Sequence, residues 1–516
     1  MPATRSSTSL RGSLWVVLAA IVIAAFAPAY DVFLGGDDFE WLDASYELFV
    51  HPLASFELIN SFFRPLVKWT FAIDYVIFGD FAPGYMLTNI SIHLVNVLLL
   101  YLLMARHLRR LAAAAAAAAF ALSPLHSEAV LWASGRPDTL LLLFWLGALL
   151  WLDWDVAPLP PGRFAAFLVM ALLGVGTKES WVLFPLVATG FLVWVKGSEL
   201  GFAVRRLWIL WSAFGAYLAV FILRPVLTGS SSPAHYADFS IPSAVAKTSR
   251  TLLGFLGLGG TGFGTVATFV LAAAVVLGAA LAAWYTRNVF AQWAVVWMLA
   301  TLALSAPFPI SPLRHNYLPL VGFWMAVAAF ANHAFGKDSS DRIWKSAGQR
   351  VFSALVLAGA VAVLLVEGRA LQLEIDDYRR YGEVHRELCG LFHNVAPAIS
   401  GDRPLLLINR GTRAAVEEVV NEVEGVDKTF FVRRDALWQL VFLPPMANFL
   451  GTPFNALLRP VAEAEISDAL AGKVTVVYFG DSGFRLLPDA PGAVAESLAR
   501  TGRLPPGIGL YRYEIY

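Results

Sequence analysis

The sequence predicts an α-helical polytopic membrane protein with a small α/β domain outside the membrane at its C-terminal end. Of its 516 residues, 58% are hydrophobic and only 15% are charged, which is more apolar surface than a soluble globular chain of this length needs. Eleven apolar runs follow one another up to residue 366. A helix needs about 20 apolar residues to cross a bilayer, and most of these runs approach that length. The chain then becomes mixed and charged, which indicates a change of surroundings from lipid to water.

The eleven apolar runs define about eleven predicted transmembrane helices. The first follows Arg5 and Arg11, as in a signal peptide, but no small-residue cleavage site comes after it, so we expect this run to be retained as a span. The third, fifth and sixth are short for a bilayer crossing, which leaves room for one or two spans more or fewer. The predicted spans are 13–30, 86–104, 111–124, 138–152, 164–178, 180–195, 207–223, 265–284, 289–306, 315–333 and 351–366.

The distribution of Lys and Arg residues sets the predicted orientation. With the N-terminus in the cytoplasm, the inside segments hold most of the Lys and Arg residues of the membrane region, from Arg5 to Arg350, although the outside loops are longer. The positive-inside rule expects this asymmetry. The acidic first loop, 31–85, then lies outside, and an odd number of spans puts the C-terminal tail on the same face.

The chain is therefore divided into a transmembrane domain, 1–368, and a soluble outer domain, 369–516. The outer domain is predicted to be α/β because short apolar runs of strand type accompany a helical pattern. The predicted strands are 405–408, 429–432, 474–479 and 508–515, and the predicted helix is 412–423. The apolar region 438–458 suits docking on the membrane domain or the bilayer surface as well as a simple buried core.

Charge and cysteine content narrow the range of partners. The 38 basic and 38 acidic residues give zero net charge, so nothing indicates a nucleic-acid partner. Cys389 is the only cysteine, which excludes an intrachain disulfide and a cysteine-based zinc site. The sequence has no ligand spacing that demands a metal, so no metal site or cofactor is predicted, although a divalent metal would be compatible with the chemistry considered below.

Carboxylates are concentrated directly after the first span. Between residues 31 and 57 there are seven acids and no Lys or Arg. A loop that faces water commonly carries acids, so any one of these residues can be either a simple surface acid or a functional one. Asp37 and Asp38 stand apart because adjacent carboxylates repel, so that one of the two is harder to ionise and better suited to accept a proton.

Three polar residues of the second span share one helical face. Asn89, His93 and Asn96 are spaced at i, i+4 and i+7, and polar groups inside a bilayer usually face the interior of the helix bundle. Hydrogen bonding between helices explains Asn89 and Asn96. The same argument explains His93 as a structural residue, and a contact with a substrate is the alternative.

Basic residues near other helix ends could bind a phosphate. Arg136 precedes Pro137, which suits the first position of a helix, and a guanidinium held there could grip a phosphate with two hydrogen bonds. Lys178 could do the same or could form a neutral pair with Glu179. Arg314 opens a late span, where it could bind a phosphate or simply extend to the lipid head groups.

Seven motifs follow one another in order within residues 10–380. They are Asp37-Asp38, Arg64-Pro65-Leu66 with Thr70-Phe71, Tyr85 with Asn89 and His93, Pro124 to Val130, Gly135 to Asp138, Lys178-Glu179, and Arg314 to Pro319. This series resembles the GT-C class of integral membrane glycosyltransferases, in particular the TPR-containing transmembrane O-mannosyltransferases with their bacterial relatives and the protein O-mannosyltransferases.

The resemblance implies an inverting glycosyltransferase in a bacterial inner membrane. Its donor would be a polyprenyl phosphate-linked, mannose-like monosaccharide, and its acceptor a protein, glycan or lipid at the outer face. It implies a base at Asp38 or Asp37 and donor phosphate contacts at Arg136, Lys178 and Arg314. The other substrate-binding residues that it implies are Arg64, His93, His126, Glu128, Asp138, Glu179 and Tyr317.

Two departures from the family pattern limit what carries over. Met86 stands where relatives often have a further histidine, which leaves one substrate contact open. The C-terminal tail has no repeat of about 34 residues with the TPR helical signature, so the acceptor cannot be inferred from the relatives.

Two alternative functions belong to other classes. A lipid-linked sugar flippase or transporter would also need charged residues in its membrane domain, but it predicts inverted repeats or broken helices near the midplane, and neither is evident in the sequence. A non-catalytic scaffold subunit could retain the same fold, and loss of Asp37 and Asp38 would support that function. Both residues are present.

Overall fold

The computed structural model describes residues 6–59, 62–153, 161–228, 240–258, 264–307, 313–334 and 347–395, together with five strands between residues 405 and 515. Helices make up most of the described residues before 396. The first eight are α1 Ser6–Phe26, α2 Asp37–Val50, α3 Pro65–Phe78, α4 Ala82–His107, α5 Arg110–Leu122, α6 Ser127–Leu131, α7 Arg136–Leu152 and α8 Pro161–Leu173.

The second group of helices completes the membrane part and extends beyond it. They are α9 Phe184–Gly190, which a π-helical turn Phe191–Val195 continues, α10 Leu200–Arg206, α11 Trp208–Thr228, α12 Ile241–Phe255, α13 Thr265–Tyr285, α14 Val289–Ser305, α15 Tyr317–Ala334 and α16 Ala347–Val395. α3, α4 and α7 each have a proline at the first or second helical position. A backbone N–H has no partner within the helix there, so proline loses no hydrogen bond, and its fixed φ favours helix initiation.

Each of the eleven predicted spans overlaps helical residues of the structure, although 180–195 covers three successive short helical segments and 164–178 extends past the end of α8. By length and composition, four described segments can cross a membrane: Ser13–Asp31, Ala82–His107, Ala133–Leu152 and Thr265–Tyr285. The pair formed by α5 and residues Pro124–Leu131 is bent by 57° and counts as a fifth if it is one span. Apolar helices long enough for a bilayer are therefore present, while the number eleven and the orientation remain predictions.

The acidic first loop is folded into helices α2 and α3. Apolar residues of α2 face inward, where Phe39 and Leu42 are buried and Trp41 stacks on Phe71 of α3 with the ring centroids 5.9 Å apart. The carboxylates Asp37, Asp38 and Glu40 occupy the first turn of α2, where the helix dipole favours negative charge. The loop is thus a packed structure that holds its paired acids at a helix start.

The helix bundle is closely packed around α4, α5, α7 and α15. α4 contacts α1, α5 and α7, while α15 contacts α5 and α14. At Gly322 the backbones of α14 and α15 touch, since a Cβ placed there would lie 2.6 Å from the backbone nitrogen of Met298. Small residues permit this kind of close approach between membrane helices.

The described part of the C-terminal region is a five-stranded sheet. Its strands are β1 Leu405–Asn409, β2 Ala456–Pro460, β3 Thr475–Gly480, β4 Gly483–Leu487 and β5 Ile508–Ile515. The order is β2-β5-β1-β3-β4, with β1 and β3 parallel and the other neighbouring pairs antiparallel.

Three of the four strands predicted in the tail are present, as β1, β3 and β5. The predicted strand 429–432, the predicted helix 412–423 and most of the apolar region 438–458 lie outside the described residues. The domain boundary predicted after residue 368 falls within α16, which runs without interruption from Ala347 to Val395. The α/β character of this domain and its boundary therefore remain predictions.

Candidate active site

Three ion pairs gather at one end of the helix bundle, and each joins segments that are distant in the chain. Arg64 donates two hydrogen bonds of 2.8 Å to the carboxylate of Glu179. Lys178 Nζ lies 2.6 Å from both carboxylate oxygens of Asp138. Arg314 donates to Glu128. Six of the residues predicted to bind substrate are therefore brought together as three cations, each balanced by its own carboxylate.

Among these three cations, Arg314 is the one most open to a ligand. A quarter of its side chain is exposed, compared with 14% for Arg64 and 9% for Lys178. Only one of its guanidinium nitrogens, NH1, donates to Glu128, and its plane lies over the ring of Trp132 with the Cζ atom 4.9 Å from the centroid. A cation held on an aromatic face with donors left over is well suited to bind a phosphate.

Asp38 is fully buried and its carboxylate is occupied by hydrogen bonds. Oδ2 accepts from the backbone nitrogen of Gly35 at 2.9 Å, and Oδ1 accepts from the backbone nitrogen and the hydroxyl of Ser134 at 2.6 and 2.5 Å. Burial raises the pKa of Asp38 to about 7, although these three donors act in the opposite direction. Asp38 therefore ties the start of α2 to the loop before α7.

Asp37, by contrast, is partly accessible and its carboxylate accepts no hydrogen bond from any residue that the structure describes. Burial raises its pKa, and the cations of Arg314 and Arg64 act to lower it. Asp37 is thus the acid of the pair that faces the three ion pairs. A carboxylate with an elevated pKa and free oxygens is equipped to take a proton from a hydroxyl group.

Trp132 links this acidic turn to Arg314. Its indole nitrogen donates to the carbonyl of Gly35 at 2.9 Å, while its ring carries the guanidinium of Arg314. Trp132 is not among the site residues predicted from the sequence. The signal available was its position between two motifs that were selected, the one ending at Val130 and the one beginning at Gly135.

Arg136 does not lie with the other cations. It is fully buried in an ion pair with Asp74, and its ring-stacking partner is Phe71, with Cζ 4.3 Å from the centroid. NH2 lies 2.6 Å from Asp74 Oδ2 in this ion pair, and the guanidinium donates hydrogen bonds to Asn89 Oδ1 at 2.8 Å, Thr70 Oγ1 at 3.2 Å and the carbonyl of Tyr85 at 3.3 Å. With its guanidinium engaged in this way, Arg136 is a structural clamp between α3, α4 and α7, and we do not include it in a phosphate site.

His93, His126 and Tyr317 form a buried aromatic cluster. The Tyr317 hydroxyl lies 2.8 Å from Nδ1 of His93 and accepts from Asn96 Nδ2 at 3.1 Å, while the Nε2–H of His93 donates to the carbonyl of Ala121. All three members are fully buried, and these hydrogen bonds connect α4, α5 and α15. This is the interhelical hydrogen bonding that the polar face of the second span suggested.

Two further residues lie close to the cations and were not selected from the sequence. His315 lies within electrostatic range of Lys178, Arg314, Lys247 and Arg64. Lys247 of α12 donates to the carbonyl of Ser305 at 2.7 Å. His315 is adjacent to Arg314 in the sequence, but nothing in the sequence around Lys247 connects it to the other loops.

Among the described residues, no group of three or more His, Cys, Asp or Glu side chains is arranged to hold a metal ion. The three ion pairs and Asp37 form the candidate active site, and the groups that they offer a ligand are hydrogen-bond donors and one partly exposed carboxylate. Such a set can bind a phosphate and accept a proton next to it.

Comparisons with known proteins support a membrane glycosyltransferase fold. A family model described as dolichyl-phosphate-mannose-protein mannosyltransferase matches residues 61–227. The structure resembles that of ArnT from Cupriavidus metallidurans bound to undecaprenyl phosphate, with a TM-score of 0.51 at 14% identity, covering 99% of this chain and 98% of ArnT. It also resembles ArnT in the apo state, with a TM-score of 0.50 at 15% identity and 98% of both chains covered. No curated protein matches the chain significantly by sequence.

The resemblance to the GT-C class of membrane glycosyltransferases is confirmed by these matches. The match to the family model contains Arg64, Glu128, Asp138, Lys178 and Glu179, and so covers most of the ion-paired residues. The likeness to ArnT, at its low identity, concerns the fold and extends over nearly the whole chain.

Replacing the two adjacent acids should separate their roles in stability. We expect Asp38→Ala to lower the Tm of the purified protein clearly, because a buried donor left without its partner costs about 1–3 kcal/mol. Asp37→Ala is the matched control and should leave the Tm near that of the wild type. Thermal unfolding in detergent measures both, and equal losses in the two variants would contradict the assignment of Asp38 as the structural member.

Proposed function

We propose that this protein is a glycosyltransferase that transfers a monosaccharide from a polyprenyl-phosphate donor to an acceptor at the outer face of the membrane. The observation that carries the proposal is that Trp132 joins the turn of the partly exposed Asp37 to the guanidinium of Arg314, since its indole nitrogen donates to Gly35 and its ring packs against Arg314. A base for the acceptor and a cation for the departing phosphate are the two groups that such a transfer needs in one place.

In this proposal the donor phosphate binds mainly to Arg314, with support from Lys178 and Arg64. Arg314 keeps two of its guanidinium nitrogens clear of Glu128, and it is the most exposed of the three cations. The carboxylates paired with these cations keep the site close to neutral, so the phosphate would bind through the donors of Arg314 that Glu128 does not occupy. Arg136 is left out because its guanidinium is engaged by Asp74 and its neighbours.

The reaction would proceed by a single displacement. The carboxylate of Asp37 takes the proton from the acceptor hydroxyl as its oxygen attacks the anomeric carbon, and the bond from that carbon to the phosphate oxygen breaks. Arg314 and its neighbouring cations stabilise the charge that grows on the leaving lipid phosphate. One displacement inverts the configuration at the anomeric carbon.

The location and partners follow from the chemistry of the two substrates. A polyprenyl tail must lie in lipid, whereas a hydrophilic acceptor approaches from water, so a site at the membrane boundary suits both. We propose a mannose-like sugar, a protein, glycan or lipid acceptor, and a bacterial inner membrane with the N-terminus in the cytoplasm. Residues 1–368 would carry the reaction, and residues 369–516 would form a domain at the outer face.

Transfer assays with single-residue variants test this function. The purified protein, reconstituted in lipid, is given a panel of polyprenyl-phosphate monosaccharides and acceptors. We expect Asp37→Asn to lower kcat by about 10²-fold or more, the usual contribution of a general base, while keeping the wild-type Tm. Asp38→Asn is the neighbouring control, and its loss of activity should accompany a loss of stability because Asn cannot accept the Gly35 hydrogen bond with its amide nitrogen.

Two results would count against the proposal. Turnover that is indifferent to Asp37→Asn would remove Asp37 as the base. An absence of turnover with every donor and acceptor, in a wild-type protein of normal stability, would favour a transporter or a scaffold subunit.

The pH dependence of transfer should report the charges around Asp37. Activity requires ionised Asp37 and therefore rises as the pH passes upward through its pKa. Arg314 lowers that pKa and Glu128 raises it, so Arg314→Gln should move the acidic limb of kcat/KM to higher pH and Glu128→Gln should move it to lower pH. Arg314→Lys retains the charge and should leave the limb near its wild-type position. Shifts in the same direction for Arg314→Gln and Glu128→Gln would contradict this account.

A further inference from the structure

The long helix α16 lies against the chain segment that leads to Asp37. Its 49 residues correspond to about 70 Å at 1.5 Å per residue, more than twice the hydrocarbon thickness of about 30 Å. Gln372 donates to the carbonyl of Ala25 at 2.8 Å, and Arg379 and Arg386 donate to Asp31 at 2.7 and 3.1 Å. α16 thus follows the segment from the end of α1 towards the acidic turn.

At Gly382 the backbone of α16 touches the backbone of this segment. A Cβ placed on Gly382 would lie 2.6 Å from the nitrogen of Phe33 and 3.2 Å from its Cα. Real Cβ contacts are essentially never shorter than 3.0 Å, and a backbone atom cannot rotate away as the end of a side chain can. Any larger residue at Gly382 must therefore displace residue 33 or the helix.

Gly35 is held between α16 and the candidate active site. On one side, a Cβ on Gly35 would lie 2.7 Å from the ring of Tyr381 and 3.0 Å from His385, and both of these side chains are buried. On the other side, the Gly35 nitrogen donates to Asp38 and its carbonyl accepts from Trp132. Because Asp37 follows two residues later, the position of Gly35 fixes the direction from which the Asp37 carboxylate enters the site.

We propose that Gly382 is a positioning residue for the transfer reaction, and that its close contact with Phe33 holds the turn that presents Asp37 to the acceptor. This inference rests on the proposed function and adds to it a residue of α16. It also gives α16, which contacts β4 of the C-terminal sheet, a physical connection to the acidic turn.

The test compares Gly382→Ala with a matched glycine on the same helix. Among the residues that the structure describes, none outside the adjoining part of its own helix lies within 4 Å of the position of a Cβ on Gly390, so Gly390→Ala should behave as wild type. We expect Gly382→Ala to lower kcat by about tenfold or more with the KM for the donor nearly unchanged, since the cations that bind the phosphate are not displaced. His385→Ala, which opens space behind Gly35 without forcing atoms together, is a milder second variant and should lower kcat in the same way.

Amide hydrogen exchange provides a readout that does not depend on activity. In Gly382→Ala the amides of residues 33–39 should exchange faster than in the wild type, while those of α4 and α7 keep their protection. Gly390→Ala should leave both regions unchanged. If a folded Gly382→Ala keeps wild-type kcat and wild-type exchange at residues 33–39, the positioning role is wrong. A fall in kcat that comes with a comparable rise in the donor KM and a fall in Tm would show a merely structural role and would also overturn the positioning role.

Failure of this inference can be told apart from failure of the proposed function. If the wild-type protein transfers no sugar but Gly382→Ala still accelerates exchange at residues 33–39, Gly382 does hold the acidic turn and the proposed reaction is wrong. If the wild-type protein transfers sugar and Gly382→Ala changes neither kcat nor exchange, the proposed reaction is supported and the positioning role of Gly382 is wrong.

Discussion

The hydrogen bonds accepted by the buried carboxylate of Asp38 are the interactions on which the candidate site depends. By joining Gly35 to Ser134, this carboxylate holds the start of α2 against the loop before α7. Asp37 is thereby left free to face Arg314. Two adjacent acids with the same side chain thus acquire different roles from their surroundings, because one is surrounded by donors and the other by cations at a greater distance.

Charge balance is the second constraint on the site. Arg64, Lys178 and Arg314 would repel one another if their charges were unpaired, and their three carboxylate partners come from different helix ends. The pairs therefore fix the mutual positions of these helix ends as well as compensating the charges, and removal of one partner would leave a partly buried charge uncompensated. Arg314 differs from the other two because Trp132 supports it from the side of the acidic turn, which joins this cation to the turn that carries Asp37.

Much of the helical architecture could be predicted from the sequence, because apolar runs near the length of a bilayer crossing need no knowledge of tertiary contacts. The seven motifs also supplied the members of all three ion pairs. The pairing itself could not be predicted: Lys178 and Glu179 are neighbours in the sequence, yet they pair with Asp138 and Arg64, which lie far from them in the chain. Nor could the sequence distinguish Asp37 from Asp38, or show that Arg136 forms a buried ion pair with Asp74, since burial depends on the packing of distant segments.

The most direct test of the division between base and phosphate site is the equilibrium affinity of the reconstituted protein for a polyprenyl phosphate, measured for Asp37→Asn and Arg314→Gln. A base that acts only on the acceptor contributes nothing to phosphate binding, so Asp37→Asn should bind at least as tightly as the wild type, having lost a negative charge near the ligand. Arg314→Gln should bind about tenfold more weakly or worse, as expected for loss of a charged hydrogen bond. Loss of affinity in Asp37→Asn with unchanged affinity in Arg314→Gln would contradict the account.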